Sequence, residues 1–336
     1  MAGIYFRGRE YIICCGYKAI TPFLEPLEER NIFDLASLTK PLALVFVIMK
    51  MVENSRIDLF DPIKKYVEIK GSLGKIPVYR FLNHTAGLKS WYPFYKEKKL
   101  YTEDKLDLKK VAEEITALSL EYLPGEKSVY SDLGYYLLTY MLETYVGKGF
   151  EKIFNEFKEK TVGEMKKGFL EYNPLLKGID QEEIVPTSLN EEGKILRGVV
   201  EDENTRAMGG VSGVAGLFAD IYGLLEMLKI YLLSYYQEGR GISRDVIKFF
   251  WEYKEKNTDF VLGFMLQSEK GYSATGRVFS EKTVGHTGFT GTSFFIDPEK
   301  ELIVILLTNR VHPDRNNKKI KDFRVSFHKV VAEIFK

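Results

Sequence analysis

The chain has 336 residues, long for one compact domain and suited to two closely packed lobes or one large α/β unit, so a sizeable core can form. Its 48 basic and 47 acidic side chains nearly cancel, which argues against a global field aimed at nucleic acid or an anionic membrane and leaves recognition to local sites. The two cysteines, Cys14 and Cys15, are sequence neighbours badly placed for an ordinary disulfide, so no disulfide scaffold is implied and a reducing compartment fits.

The start, MAGIYFRGREYIICCGYKA, lacks a basic segment followed by an apolar core and a small-residue cleavage site; no signal peptide is read, and the cytoplasm is the expected location. Residues 3–7 and 11–17 are apolar, aromatic and extended in character, and the polar RGRE between them predicts a β-hairpin. A short Pro-containing connection leads to FDLASLTKPLA at 33–43, which overlaps the apolar run LALVFVIM at 42–49. That run is far short of the roughly 20 residues of a membrane span and predicts a helix over Leu42–Met51 buried on all sides. RIDLFDPIKKYV then reads as a turn with a helix beginning near Asp61-Pro62, proline in its favoured first-turn place.

Helical spacing recurs in DLKKVAEEITAL, LGYYLLTYMLETYVG, FEKIFNEFKEKTV and ADIYGLLEMLKIYLLSYYQ, between Pro and Gly breaks, so the middle of the chain is mostly α. From about residue 261 the texture turns β-rich, in VLGFML, GRVFS and GTSFFIDPEKELIVILLTN, with a turn at Asp297-Pro298 and a final helix over about 318–335. Strands at both ends imply one sheet built by the two termini, residues 1–58 plus 272–336, and a mainly helical lobe over 59–271. A cleft between them is the natural ligand site. No internal repeat or low-complexity tract interrupts this organisation.

Ser37 and Lys40, an S-x-x-K pair, share a face if a helix starts near Ser37. A serine hydroxyl is a weak nucleophile at neutral pH, and a neighbouring amine can take its proton if burial or another cation lowers the lysine pKa. Pro41 conflicts locally, because it lacks an N–H and biases Lys40 away from helical dihedrals. The plainer alternative makes Ser37 an N-cap and Lys40 a solvated first-turn residue. In LPGEKSVYSDLGYYLL, 123–138, Tyr130-Ser131-Asp132 fills a polar break before an apolar helix, where Ser131 or Asp132 can cap. A phenol beside a lysine ammonium can relay a proton; a core tyrosine beside a helix cap is the alternative. In TVGHTGFTGTSFFIDPEKELIVILLTN, His286-Thr287-Gly288 opens a strand pair, whose edge can offer polar side chains and a backbone N–H to a developing oxyanion. An ordinary Gly-rich turn fits that stretch as well.

The order of these motifs (helix start, loop before a helix, strand near the carboxyl end) resembles the penicillin-recognising serine hydrolases, the superfamily of class C β-lactamases, D-Ala-D-Ala carboxypeptidases and related esterases. NHTAGL at 83–88, PGEKSVYSDLGY at 124–135, IVPTS at 184–188 and EDENTRAMGGVSGVAGLFAD at 201–220 extend the resemblance over nearly the whole chain. It implies an α/β (α+β) fold with an antiparallel sheet flanked by helices and an inserted helical lobe. It implies Ser37 as acylated nucleophile, with Lys40 and Tyr130 sharing proton transfers. His286 and Thr287 would help hold a substrate carboxylate or polar tail beside Gly288, and the N–H groups of Ser37 and Phe289 would form an oxyanion hole. No cofactor or metal is implied.

Two departures bear on substrate. Asp132 stands where class C β-lactamases typically have Asn, and an ionised carboxylate only accepts hydrogen bonds; it can instead pair with Lys40 or bind an amine. His286 stands where they usually have Lys, leaving less fixed positive charge. D-amino-acid peptides, cell-wall fragments and small esters are therefore expected ahead of β-lactams. A true β-lactamase and a non-catalytic penicillin-binding sensor of peptidoglycan fragments are the alternatives, and self-association into a homo-oligomer stays open. Family members often carry a helix before the first strand, so a partner subunit or the final helix must cover the exposed sheet surface.

GGVSGVAG at 209–216 lacks the P-loop Lys-Ser/Thr and reads as a backbone turn lining the cleft, followed by a helix capped by Asp220. His84 reads as a turn residue satisfying backbone groups, since no metal-ligand spacing exists. Glu201, Asp202, Glu203 and Asn204 read as a hydrogen-bonded loop against the Gly-rich turn, with substrate contact as the second reading. WYPFY at 91–95 can line the cleft or fill the core. Glutamine is scarce (Gln181, Gln237 and Gln267 only) while Lys and Glu abound, the bias of proteins from hot environments. On that reading the chain melts above about 60 °C, and a calorimetric midpoint in the mesophile range below it removes the thermophile assignment.

Overall fold

The computed structural model describes residues 1–163, 165, 168–190, 192–236 and 241–336. Both ends of the chain contribute to a six-stranded antiparallel sheet of β1 (Ala2–Phe6), β2 (Arg9–Ile13), β3 (Met265–Leu266), β4 (Val284–Thr287), β5 (Ser293–Asp297) and β6 (Leu302–Leu306). Its spatial order is β3-β4-β5-β6-β1-β2, and the ends join where Ile4 faces Val304 and Gly3 faces Ile305. The amino-terminal hairpin forms with a tighter turn than RGRE implied. Arg7 and Gly8 alone make it, at φ 45° and 86°, the geometry whose twist suits a two-residue hairpin.

Alternation along β1 directs its residues to two different layers. Gly3 meets Ile221, the first residue of a long helix, so closely that a Cβ on it would lie 2.7 Å from Ile221 Cδ1. Ile4 points the other way, into a smaller cluster with Phe279, Phe295, Val304 and Val331. With helices on both faces, β5 and β6 are buried along their whole length, as their near-continuous apolar sequences require.

The principal helices are α1 (Phe46–Glu53), α2 (Leu108–Ala117), α3 (Asp132–Val146), α4 (Phe150–Val162), α5 (Ile221–Tyr236), α6 (Arg244–Glu252) and α7 (Ile320–Ile334). Asp107 caps α2 through the N–H groups of Lys109 and Lys110, and Gly147 ends α3 in the left-handed conformation. The run expected as a buried helix is buried from Leu38 to Met49, but its first part, Lys40–Val45, is a wider π-type helix containing Pro41. Gln237, the last residue of the fourth helical run, lies outside the described residues.

Three expectations change. No regular helix starts at Asp61-Pro62: Pro62 is extended at ψ 140° and bridges Pro77, leaving one 3₁₀ turn at Ile63–Lys65. GRVFS is not a strand; Phe279 turns into the smaller core beside His328, and Ser280 donates to Asp297. VLGFML contributes only β3, because Gly263, at φ 88°, takes a conformation open to glycine and presses on Val45. Met265 and Leu266 pair with Gly285 and Val284, so the sheet begins ahead of residue 272. Helix α6 had no expectation of its own.

The final helix covers part of the outer face of the sheet, where Val331 packs with Ile4 and Phe295. Between α7 and the β1–β2 hairpin an apolar groove of about 1200 Å³ stays open, bordered by Tyr11, Ile13, Phe323, Val330 and Ile334. The main core centres on α1, where fully buried Phe46 packs against Phe154 and Tyr231. Replacing Phe46 by Ala removes about 3–5 kcal/mol of stability. Urea unfolding then shows a lower midpoint at unchanged slope, and an unchanged midpoint would contradict this packing.

Candidate active site

Ser37 sits on a turn fixed from three directions. The preceding Phe33–Asp34 pairs with Leu217–Ala219, which pairs with Leu170–Tyr172 in a small three-stranded sheet. Asp34 is buried, and its carboxylate accepts from the N–H groups of Ala36 at 2.8 Å and Glu201 at 2.7 Å. Ala36 stands at φ 48°, unusual for a residue with a Cβ, so the bond from Asp34 holds the strained step just before Ser37. Burial pushes the Asp34 carboxyl up to about 7 although both N–H groups pull it down. On the opposite side Thr290 and Thr292 donate their hydroxyls to the carbonyls of Asp34 at 2.8 Å and Leu35 at 3.1 Å. Gly288 permits this approach: a Cβ there would lie 2.7 Å from the Leu35 carbonyl oxygen.

Lys40 is wholly buried beneath the turn. Its Nζ donates to Ser37 Oγ at 3.2 Å and the Val214 carbonyl at 3.1 Å, and pairs with Asp132 Oδ1 at 2.7 Å. The rings of Tyr130 and Tyr135 lie 5.2 and 5.5 Å from the ammonium. Burial by itself lowers the lysine pKa, but Asp132 and then Tyr130 outweigh it and the net shift is upward. Lys40 is therefore a cation in the resting site. Burial also raises the Tyr130 phenol; the Lys40 charge offsets part of the rise and Asp132 adds to it.

Ser131 occupies the N-cap position of α3 without a side-chain cap: its hydroxyl donates to the Lys89 carbonyl and its N–H to His84 Nδ1 at 3.1 Å. His84, at φ 60°, satisfies backbone as expected, and its ring lies against Tyr130 at 4.6 Å and Tyr135 at 5.1 Å.

His286 faces Phe294 across β4 and β5 and is 1% exposed. Its Nδ1 lies 2.9 Å from the Thr287 carbonyl, so that nitrogen carries the proton and Nε2 keeps a lone pair that meets no hydrogen-bond partner among the described residues. Burial, reinforced by Lys40, lowers its pKa to about 3, and the ring is neutral at physiological pH. Thr287 turns its hydroxyl toward the Met265 sulfur, and Phe289 lies between the Arg310 and Arg315 guanidinium groups, 4.5 and 4.9 Å from its ring.

Ser37, Tyr130, Asp132, His286, Thr287, Gly288 and Phe289 border one cleft of about 750 Å³, with Lys40 under its floor. The Gly-rich turn joins them through Val214 and Ala215, and Asp220 accepts the Gly223 N–H at 2.8 Å at the start of α5. The aromatic run divides, Trp91 bordering the cleft and Phe94 entering the core. Sequence reasoning passed over Asp34, although an Asp shortly before a helix start is a turn signal. It also passed over Arg315, whose loop carries no motif and which reaches the cleft only through the fold. Among the described residues no group of three His, Cys, Asp or Glu side chains is placed to hold a metal ion, and no helix is long and apolar enough to cross a membrane.

A family model described as Beta-lactamase matches residues 11–328. A provisionally named D-alanyl-D-alanine carboxypeptidase of Escherichia coli O157:H7 is 30% identical over 312 residues, spanning 84% of this chain and 70% of that protein. Of solved structures, EstCE1, described as a hydrolase with promiscuous acyltransferase activity, superposes with a TM-score of 0.73 at 19% identity, over 97% of this chain and 92% of its own. The octameric penicillin-binding protein homologue from Pyrococcus abyssi gives 0.69 at 20% identity, over 98% and 72%. The sheet with its flanking helices is the fold of these structures.

Removing one partner of a buried pair strands the other charge. Asp132→Ala is expected to cost about 3 kcal/mol, the low end for such pairs, because the Asp132 side chain keeps 16% exposure. Adding Lys40→Met recovers part of the loss. Denaturant titrations check both, and a neutral Asp132→Ala would contradict the pairing.

Proposed function

The chain belongs to the beta-lactamase family, and from that premise we propose that it is a serine hydrolase that forms an acyl-enzyme at Ser37 from ester or amide substrates. The observation that carries this reading is the 3.2 Å contact of Lys40 Nζ with Ser37 Oγ at the floor of a cleft. Ser37 Oγ attacks the substrate carbonyl, and its proton passes into the Lys40–Tyr130 pair. The backbone N–H groups of Ser37 and Phe289 receive the negative charge that develops on the carbonyl oxygen. Tyr130 returns a proton to the leaving group, and water or another acceptor releases the acyl group. The β4 edge, with Thr287 and Gly288, lies along the bound substrate.

The carboxypeptidase name of the Escherichia coli relative supports D-amino-acid peptides or cell-wall fragments as substrates, with small esters beside them. A neutral His286 and an acidic Asp132 place β-lactams behind both. Free thiols at Cys14 and Cys15 fit a cytoplasmic setting. The octameric neighbour supports reading the chain as a homo-oligomer, which light scattering on the purified protein decides.

Two outcomes test the reading. An activated fluorophosphonate should label Ser37, as mapped by mass spectrometry, and leave Ser37→Ala unlabelled; an adduct absent from Ser37 in the parent protein overturns the assignment. Because Lys40 and Tyr130 are both raised and so protonated at rest, kcat/KM for a p-nitrophenyl ester should climb with pH into the alkaline range. The apparent pKa belongs to the coupled pair. Asp132→Asn removes the charge that raises Lys40, so the limb should move to lower pH. A flat profile, or a limb unmoved in the variant, contradicts this base.

A further inference from the structure

The charges around the cleft say which end of a substrate it is built to hold. Four carboxylates border it, Asp132, Glu201, Asp202 and Glu203, and Arg315 is the one Lys or Arg among its described lining residues. The cation under the cleft floor and the one on its lining are already paired with acids. Lys40 pairs with Asp132 beneath the floor, and Arg315 pairs with Glu201 at 3.0 Å and also with Glu203. No described lining residue offers a cation without a carboxylate partner, and Arg310, beside Phe289, turns its Nε and Nη1 to the carbonyls of Phe289, Arg315 and Asn317.

The four acids are not equivalent. Glu201 is 2% exposed and takes the Ser188 hydroxyl on both oxygens, so it is a structural strut. Asp202 caps the short helix Glu203–Ala207 through the Thr205 N–H and accepts the Tyr136 hydroxyl. Asp132 and Glu203 differ: neither braces another side chain or caps a helix, each carries one ion pair, to Lys40 and to Arg315, and their side chains keep 16% and 19% exposure.

His286 supplies an independent observation. Its ring is buried in the cleft wall with the Nδ1 proton spent on the Thr287 carbonyl, so what remains is the lone pair of Nε2, with no partner among the described residues. A buried polar atom without a partner is costly unless a ligand meets it. This one can only accept.

We propose that the cleft selects acyl donors carrying a free, protonated amine, such as an amino-acid ester or amide or a short peptide entering by its amino end. The ammonium is held by Asp132 and Glu203, and His286 Nε2 accepts a substrate N–H. This inference rests on the acyl-enzyme reading at Ser37. It reverses the polarity implied by the family resemblance, in which His286 and Thr287 hold a carboxylate.

The test compares D-alanine p-nitroanilide with its N-acetyl and N-succinyl derivatives, which replace the cation with a neutral group and an anion. The free amine should be preferred in kcat/KM over the N-acetyl form by about tenfold, the scale of a hydrogen bond to a charged group. The N-succinyl form should be poorer still, and Glu203→Gln should shrink the preference while Glu203→Asp retains part of it. In a second readout, D-alaninamide should slow fluorophosphonate labelling of Ser37 in the parent protein and N-acetyl-D-alaninamide should not. Labelled Ser37 with no preference for the amine, with a preferred N-succinyl substrate, or with no protection by D-alaninamide, overturns the amine site alone. Ser37 that never labels overturns the acyl-enzyme reading beneath it.

Discussion

A buried ammonium in a protein interior is stable only with its partners in place, and the site depends on how Lys40 meets that condition. Its Nζ donates to Ser37 Oγ and the Val214 carbonyl, and Asp132 Oδ1 at 2.7 Å balances its charge. Those partners come from distant stretches: the turn before α1, the Gly-rich loop and the first residue of α3. Satisfying one charge thus fixes the relative positions of three segments, and Tyr130 and Tyr135 close the space around it.

The same constraint sets the chemistry. An amine acts as a base only when it has lost its proton, and Asp132 works against that by stabilising the cation. On the proposed acyl-enzyme reading, the resting ion pair must give up a proton before Ser37 can attack. The surrounding latches keep Ser37 in register meanwhile, with Asp34 holding the strained Ala36, and Thr290 and Thr292 fastening the β4–β5 end to the turn. With Lys40 and Arg315 neutralised by carboxylates and His286 neutral through burial, the cleft is acidic although the whole chain is nearly uncharged.

How much of this could be read in the sequence follows from the range of each interaction. The hairpin of β1 and β2, the long helices and the all-buried character around Leu42–Met49 are written in local periodicity, and they stand as expected. Joining of the two termini in one sheet was legible because strands at both ends had no other partners. Ser37, Tyr130, Asp132 and His286 were found through three motifs whose joint order mattered more than any single one, and the fold brings them around one cleft. The errors came where tertiary contacts override local signals. Pro62 pairs with Pro77 instead of opening a helix, and Phe279 leaves its apparent strand for the space beside His328. Asp34 was overlooked because its importance lies in a partner far along the chain, the Glu201 N–H. The tautomer of His286 and the commitment of Arg315 to two acids are likewise properties of packing, with no trace in spacing.

Lysine side-chain NMR of the isotope-labelled protein, with the Lys40 signal assigned by its loss in Lys40→Met, tests the central claim most directly. The account predicts that the Lys40 ammonium stays protonated up to and beyond the ordinary lysine value of about 10.4, held by Asp132. A titration of that signal near neutral pH would contradict it, and would make Lys40 a free base in the resting protein.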